Sequence, residues 1–181
     1  GLQHDAVVGN MWMSSILAES VSNARGGTVA GGHWVEFDFG SVKSVDEMWI
    51  WNFNEAPFRS QGFKDITIQY SETGSINPNN WTTIYDGVLP MAATAEPNNA
   101  TDVNLIVDFS GVNARTVVLT GDIGLGMNWS NGSDTYRSGL SEVQFKFVAD
   151  IIPTLGSISE EMAVISFQSE AGKRYPLEST T

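Results

Sequence analysis

The chain has 181 residues, no cysteine, and 21 acidic against 9 basic residues, for a formal net charge of −12. The missing cysteines rule out disulfide frameworks, thiolate zinc sites and cysteine nucleophiles, and the negative charge argues against a grip on nucleic acid or an anionic membrane, since both need clustered Lys and Arg. A hydrophobic content of 41% is too high for a disordered chain, the length suits one domain with an appendage, and no apolar run approaches the ~18 residues of a bilayer span.

Ser14 to Asn23 could make two helical turns, with Ile16, Leu17 and Val21 on one side. It is short, and Gly26-Gly27 and Gly31-Gly32 follow at once. From there the pattern is strand-like. Trp34 to Gly40 alternates at period two, with Val35, Phe37 and Phe39 on one face and Trp34, Glu36 and Asp38 on the other. Val45 to Phe53, Lys64 to Ser71, Trp81 to Asp86, Val103 to Phe109, Arg115 to Thr120 and Leu140 to Val148 follow as further strands. Seven strands with Gly, Asn and Pro between them predict an all-β, antiparallel sandwich or jelly roll.

Strands that alternate in direction place successive connections at opposite ends. Gly40 to Ser44, Glu72 to Asn80 and Ser110 to Ala114 are short turns. The intervening set is long: Ser14 to His33, Asn54 to Phe63, Gly87 to Asp102 and Gly121 to Gly139. Alternation therefore predicts every long loop at one end, the usual way a rigid sandwich carries a binding surface. Beyond Val148 the character changes. Residues 149–181 read as a linker with Pro153 and Gly156, then a hairpin around Glu170 to Lys173. That hairpin either pads the sandwich or opens a downstream module. The second is expected, because residues 1–148 already make a complete sandwich.

Enzymatic signatures are missing from the sequence. His4 and His33 have no metal-ligand spacing, and there is no Gly-x-Ser-x-Gly elbow. The glycines of Gly121 to Gly126 do not match a dinucleotide fingerprint and read as a loop. The long loops do hold planar and amide side chains. Trp129, flanked by Asn128, could stack on a sugar face while amides take its hydroxyls, or could fold back to cap the sandwich. Tyr136 and Arg137 share that loop, and Asn54, Glu55, Phe58 and Arg59 occupy its neighbour. Arg59 offers a donor fork for vicinal hydroxyls, or pairs with Glu55, or both. His33 is a ligand contact or a structural imidazole. Trp34, Trp49, Trp51 and Trp81 lie inside strands and are expected in packing roles.

Six segments in order carry a resemblance: MWMSS (Met11 to Ser15), HWVEFDFG (His33 to Gly40), MWIWNFNE (Met48 to Glu55), GFKDITIQYSETG (Gly62 to Gly74), ARTVVLT (Ala114 to Thr120) and GLSEVQF (Gly139 to Phe145). Together they resemble the discoidin, or coagulation factor type C, superfamily, which includes the family 32 carbohydrate-binding modules. The flavour is similar to modules of large secreted bacterial proteins. The resemblance implies a jelly-roll sandwich, a non-catalytic role and a polysaccharide or oligosaccharide partner held by loops at one end. It implies a secreted, extracellular setting beside other modules or an enzyme. It also implies a structural calcium, with Asp5 and Glu142 as candidate ligands. The ligand-contacting set is then Trp129, Arg59, Asn54, Glu55, Asn128, Tyr136, Arg137 and His33. A protein-interaction or adhesion module using the same loops is the alternative.

Overall fold

The computed structural model describes residues 11–14, 32–74, 77–93, 103–122, 126–130 and 137–148, and two short strands beyond them. The possible helical turn at Ser14 to Asn23 lies, after Ser14, outside the described residues. Among the described residues there are eight strands: β1 (Trp12–Met13), β2 (Trp34–Asn52), β3 (Asp65–Ser71), β4 (Thr82–Val88), β5 (Leu105–Gly121), β6 (Gly139–Phe147), β7 (Met162–Ile165) and β8 (Tyr175–Pro176). Neighbours run in the order β1-β6-β2-β5-β3-β4, and every pair along this path is antiparallel.

Two expected strand pairs are each a single long strand. Residues 34–40 and 45–53 merge into the 19-residue β2, and 103–109 and 115–120 into the 17-residue β5. The ladder does not stop at the supposed turns: Lys43 pairs Ala114 and Ser44 pairs Asn113. Instead the β2–β5 ribbon bends there. The register shifts between Asp38 and Lys43, and Gly40, Ser110 and Gly111 have φ of 73°, 52° and 75°. A left-handed residue inside a strand turns the ribbon sharply, which is what glycine permits. Glycine and serine punctuation therefore marked a corner, not an end.

The bend makes two layers. In one, β4, β3, the second half of β5 and the first half of β2 lie side by side. In the other, β1, β6, the second half of β2 and the first half of β5 do. Alternate residues face inward into one apolar core: Val35, Phe37 and Phe39 with Ile66, Ile68, Val117 and Leu119 from one layer, and Met48, Ile50, Val107, Phe109, Val143 and Phe145 from the other. Phe145 bridges them, with its ring 5.2 Å from Phe37 and 4.9 Å from Phe39. The sandwich is an all-β architecture with its predicted alternation intact. Trp34 and Trp81 pack with Val118, and Trp49 packs against Trp51 with ring centroids 6.3 Å apart, so these four leave the central core to the smaller residues.

Two short strands from the 149–181 segment ladder onto this frame. β7 pairs antiparallel with β6, and β8 pairs parallel with β2. Residues 53–64 follow β2, 89–93 follow β4, and 126–130 and 137–138 lie between β5 and β6.

Candidate functional site

Three loop segments meet at one end of the sandwich, and backbone bonds join them. Phe63 bridges to Asn128 and Gly62 to Gly139, while Lys64 N–H donates to the Met127 carbonyl at 3.2 Å. Leu89 N–H donates to Lys64 O at 2.7 Å, which ties in the segment after β4. Trp12 stacks on Phe63 beneath, with centroids 5.8 Å apart. A buried aromatic floor thus supports a hydrogen-bonded roof.

Trp129 is half-buried, and its indole serves this roof. Nε1–H lies 3.1 Å from both the Phe63 and Leu89 carbonyl oxygens, so one donor bridges two loops. Lys64 Nζ sits 5.6 Å from the ring centroid, a cation–π distance. Arg59 acts similarly from its own loop. Its Nη1 donates to Ala92 O at 3.0 Å and Ala93 O at 2.7 Å. The pair with Glu55 is not formed. The remaining guanidinium N–H groups have no acceptor among the described residues, and the side chain is half-exposed. A guanidinium held by one nitrogen keeps donors to offer in a fixed direction.

The amides and the imidazole lie deeper. Asn54 is 2% exposed and its Oδ1 accepts from Ser141 Oγ at 3.0 Å. Asn128 is also 2% exposed: Nδ2 donates to Arg137 O at 2.6 Å, and Oδ1 accepts from Ser130 N–H and Oγ. His33 is buried, with Nδ1 3.1 Å from both Ser14 Oγ and Ser138 Oγ. As placed, these three side chains are engaged within the frame of the loop end. A buried amide can satisfy several backbone groups at once, and the loops need that. Arg137 is half-exposed, with Nη1 3.9 Å from Met13 Sδ. Tyr136 and Asp5 lie outside the described residues.

Glu142, the other calcium candidate, is 8% exposed on β6, and its Oε1 accepts from Gln144 Nε2 at 2.6 Å. Among the described residues no three carboxylate or imidazole groups are close enough to hold a metal ion. A calcium shell needs ~6–8 oxygens, and Glu142 alone supplies a small part of that.

One residue on this end was not assigned a role from sequence. Phe58, 46% exposed, projects from the loop that Arg59 clamps. Its N–H donates to Glu55 O at 2.7 Å, and its carbonyl accepts from Gln61 N–H at 2.8 Å, so a tight turn fixes its backbone. Met91, on the partner loop, is 38% exposed. Pro57 just before Phe58 and the polar Arg59-Ser60-Gln61 after it were the signal: an aromatic with no apolar partner at strand spacing.

No protein-family model matches the chain, and a search of curated proteins gives no match. Several solved structures are similar to it. A family 32 carbohydrate-binding module from a family 31 glycoside hydrolase of Clostridium perfringens is 16% identical, with a TM-score of 0.48 over 78% of this chain and 79% of that one. The family 32 module of C. perfringens NanJ, in complex with galactose, is 16% identical, with a TM-score of 0.42 over 74% and 89%. That of AlyQ, in complex with 4,5-unsaturated mannuronic acid, is 16% identical, with a TM-score of 0.40 over 79% and 96%.

Proposed function

We propose that this chain is a non-catalytic carbohydrate-binding module, working outside the cell as one part of a larger protein, with the loop end as its glycan surface. The observation that carries the reading is Phe58: an aromatic side chain 46% exposed, next in sequence to a guanidinium that is itself pinned. A sugar ring has an apolar face and a hydroxyl edge. Phe58 supplies the stacking area and Arg59 the hydroxyl donors, with Glu55 and the half-buried Trp129 as further candidates on the loop end. Because the guanidinium is already held, less entropy is lost on binding. The resemblance of the six sequence segments supports the same reading.

Affinity is expected at roughly micromolar to millimolar, since a small polar ligand buries little area. The test is calorimetric titration against a glycan panel with Phe58→Ala and Arg59→Met, after thermal melts show both variants folded. Loss of about tenfold or more in each supports the surface, a factor worth about 1.4 kcal/mol. A sugar that binds both variants as it binds the wild type rejects it. A protein partner in place of a glycan is the second reading, favoured by the exposed apolar pair Phe58 and Met91. Binding by a protein with no glycan retained anywhere in the panel would decide for it.

A further inference from the structure

β7 and β8 reach different layers of the sandwich. β7 runs antiparallel to β6, with Val143 opposite Ile165, Phe145 opposite Ala163 and Lys146 opposite Met162. β8 runs parallel to the first half of β2, with Phe37 opposite Tyr175 and Asp38 opposite Pro176. The strands of a hairpin pair with each other; each of these ladders onto an edge of the frame instead. Both edges lie on one flank. β5 takes one side of β2 from Trp34 to Ile50, and the other side goes to β8 in the first half and to β6 in the second. β6 in turn has β2 on one side of Val143 to Lys146 and β7 on the other.

The core joins the two seats. Phe37, opposite β8, and Phe145, opposite β7, are both buried, with ring centroids 5.2 Å apart. Residues 166–174 link β7 to β8 in the chain, a length that spans up to ~30 Å against the ~10 Å between packed sheets. Cover matters here because an open edge offers unpaired N–H and C=O groups to any extended chain. The edges that keep one side open among the described residues carry exposed carboxylates: Asp86 on β4, which pairs with β3, and Asp108 on the first half of β5, which pairs with β2. Val143 to Lys146 lacks that protection. Its one charge, Lys146, is paired with Asp46 at 3.3 Å.

We propose that the β6 edge and the adjoining edge of β2 form a strand-docking site, filled by this chain's own β7 and β8. The two strands act together as a clasp. They fasten one edge of each layer and keep those edges from pairing with a second copy. Recognition is through backbone hydrogen bonds, as in strand addition to any sheet edge, so register and extended geometry decide what docks.

The experiment is native-state hydrogen exchange of the full chain, read residue by residue by NMR, with light scattering for the mass. A strand with neighbours on both sides bonds every N–H, whereas an edge strand bonds alternate ones. Every amide from Val143 to Lys146 should therefore exchange at least about tenfold more slowly than the fast alternate amides of β4. Alternation along Val143 to Lys146 overturns the docking. Ala163→Pro and Val164→Pro remove neighbouring N–H groups, only one of which faces β6. That variant should speed exchange along Val143 to Lys146 by at least about tenfold and produce dimers or larger species, and the other should do neither. Both variants behaving as wild type overturns the clasp, and faster exchange in a chain that stays monomeric overturns its blocking role. If both variants unfold, the wild-type exchange pattern still decides. Wild-type protection that falls on dilution, with a dimer mass, seats a second copy's strands at the edges and overturns the in-chain occupant.

Discussion

Replacing Trp129 with Phe separates the structural from the recognition role of this side chain. The ring stays and one N–H goes. That N–H reaches two carbonyl oxygens, Phe63 O and Leu89 O, each at 3.1 Å. The two losses are unequal. Phe63 O keeps Asn52 Nδ2 as a donor at 2.7 Å. Leu89 O, on a residue whose side chain is fully buried, keeps no donor among the described residues. One net hydrogen bond is worth about 1 kcal/mol, and a stranded buried carbonyl costs about 1–3 kcal/mol, so the total is about 2–4 kcal/mol. For a chain of this size each kcal/mol moves Tm by roughly 2–4 °C, which predicts a fall of about 4–16 °C. The assay is thermal unfolding, with urea titration to establish that the slope is unchanged and only the midpoint moves. Glycan affinity should fall less than in Phe58→Ala, because the aromatic face remains. A Tm unchanged within about 1 °C would refute the bridging role, and full loss of sugar binding at that unchanged Tm would make the indole N–H a ligand contact instead.

Two further outcomes follow from packing and charge. Gly121→Ala places a Cβ 2.7 Å from Cδ1 and Cε1 of Phe63, a fully buried ring stacked on Trp12 that has nowhere to retreat. It should destabilise by about 1–3 kcal/mol, and an unchanged urea midpoint would contradict this placement of Phe63. Tyr85 is held above its ordinary pKa of 10.0, first by burial and second by the Asp86 carboxylate. A raised acid pKa means the unfolded chain ionises first. The stability is therefore intact below pH 10.0 and is lost as pH rises from there through the folded-state pKa. Asp86→Asn should lower the phenolate titration midpoint, read by absorbance, and a midpoint that does not move would show that the carboxylate is not felt at the ring.

Much of the fold was legible because strand alternation is local. Val35, Phe37 and Phe39, or Val143 and Phe145, point to one face in any extended chain, and all five are in the core. The breaks were less legible. Gly40 and Ser110-Gly111 carry the same residues whether a strand ends or bends, and only the continuing Lys43–Ala114 and Ser44–Asn113 pairs decide it. At the loop end, residue type suggested a chemistry but could not disclose which groups the frame itself engages. Asn54, Asn128 and Trp129 all have groups suited to a sugar. Each is instead engaged by a backbone or side-chain partner that is distant in the chain, such as Ser141 for Asn54 and Phe63 and Leu89 for Trp129.

The sequence by itself determined the all-β class, the inward faces of the strands and the acidic charge, because these depend on period and composition. Tertiary structure alone decided the folding of one ribbon into two layers, the exposure of Phe58 next to a clamped Arg59, and the bridging of Phe63 and Leu89 by Trp129. The physical reason is reach: backbone geometry sets which way a side chain points within a few residues, whereas burial and charge proximity depend on segments dozens of residues apart.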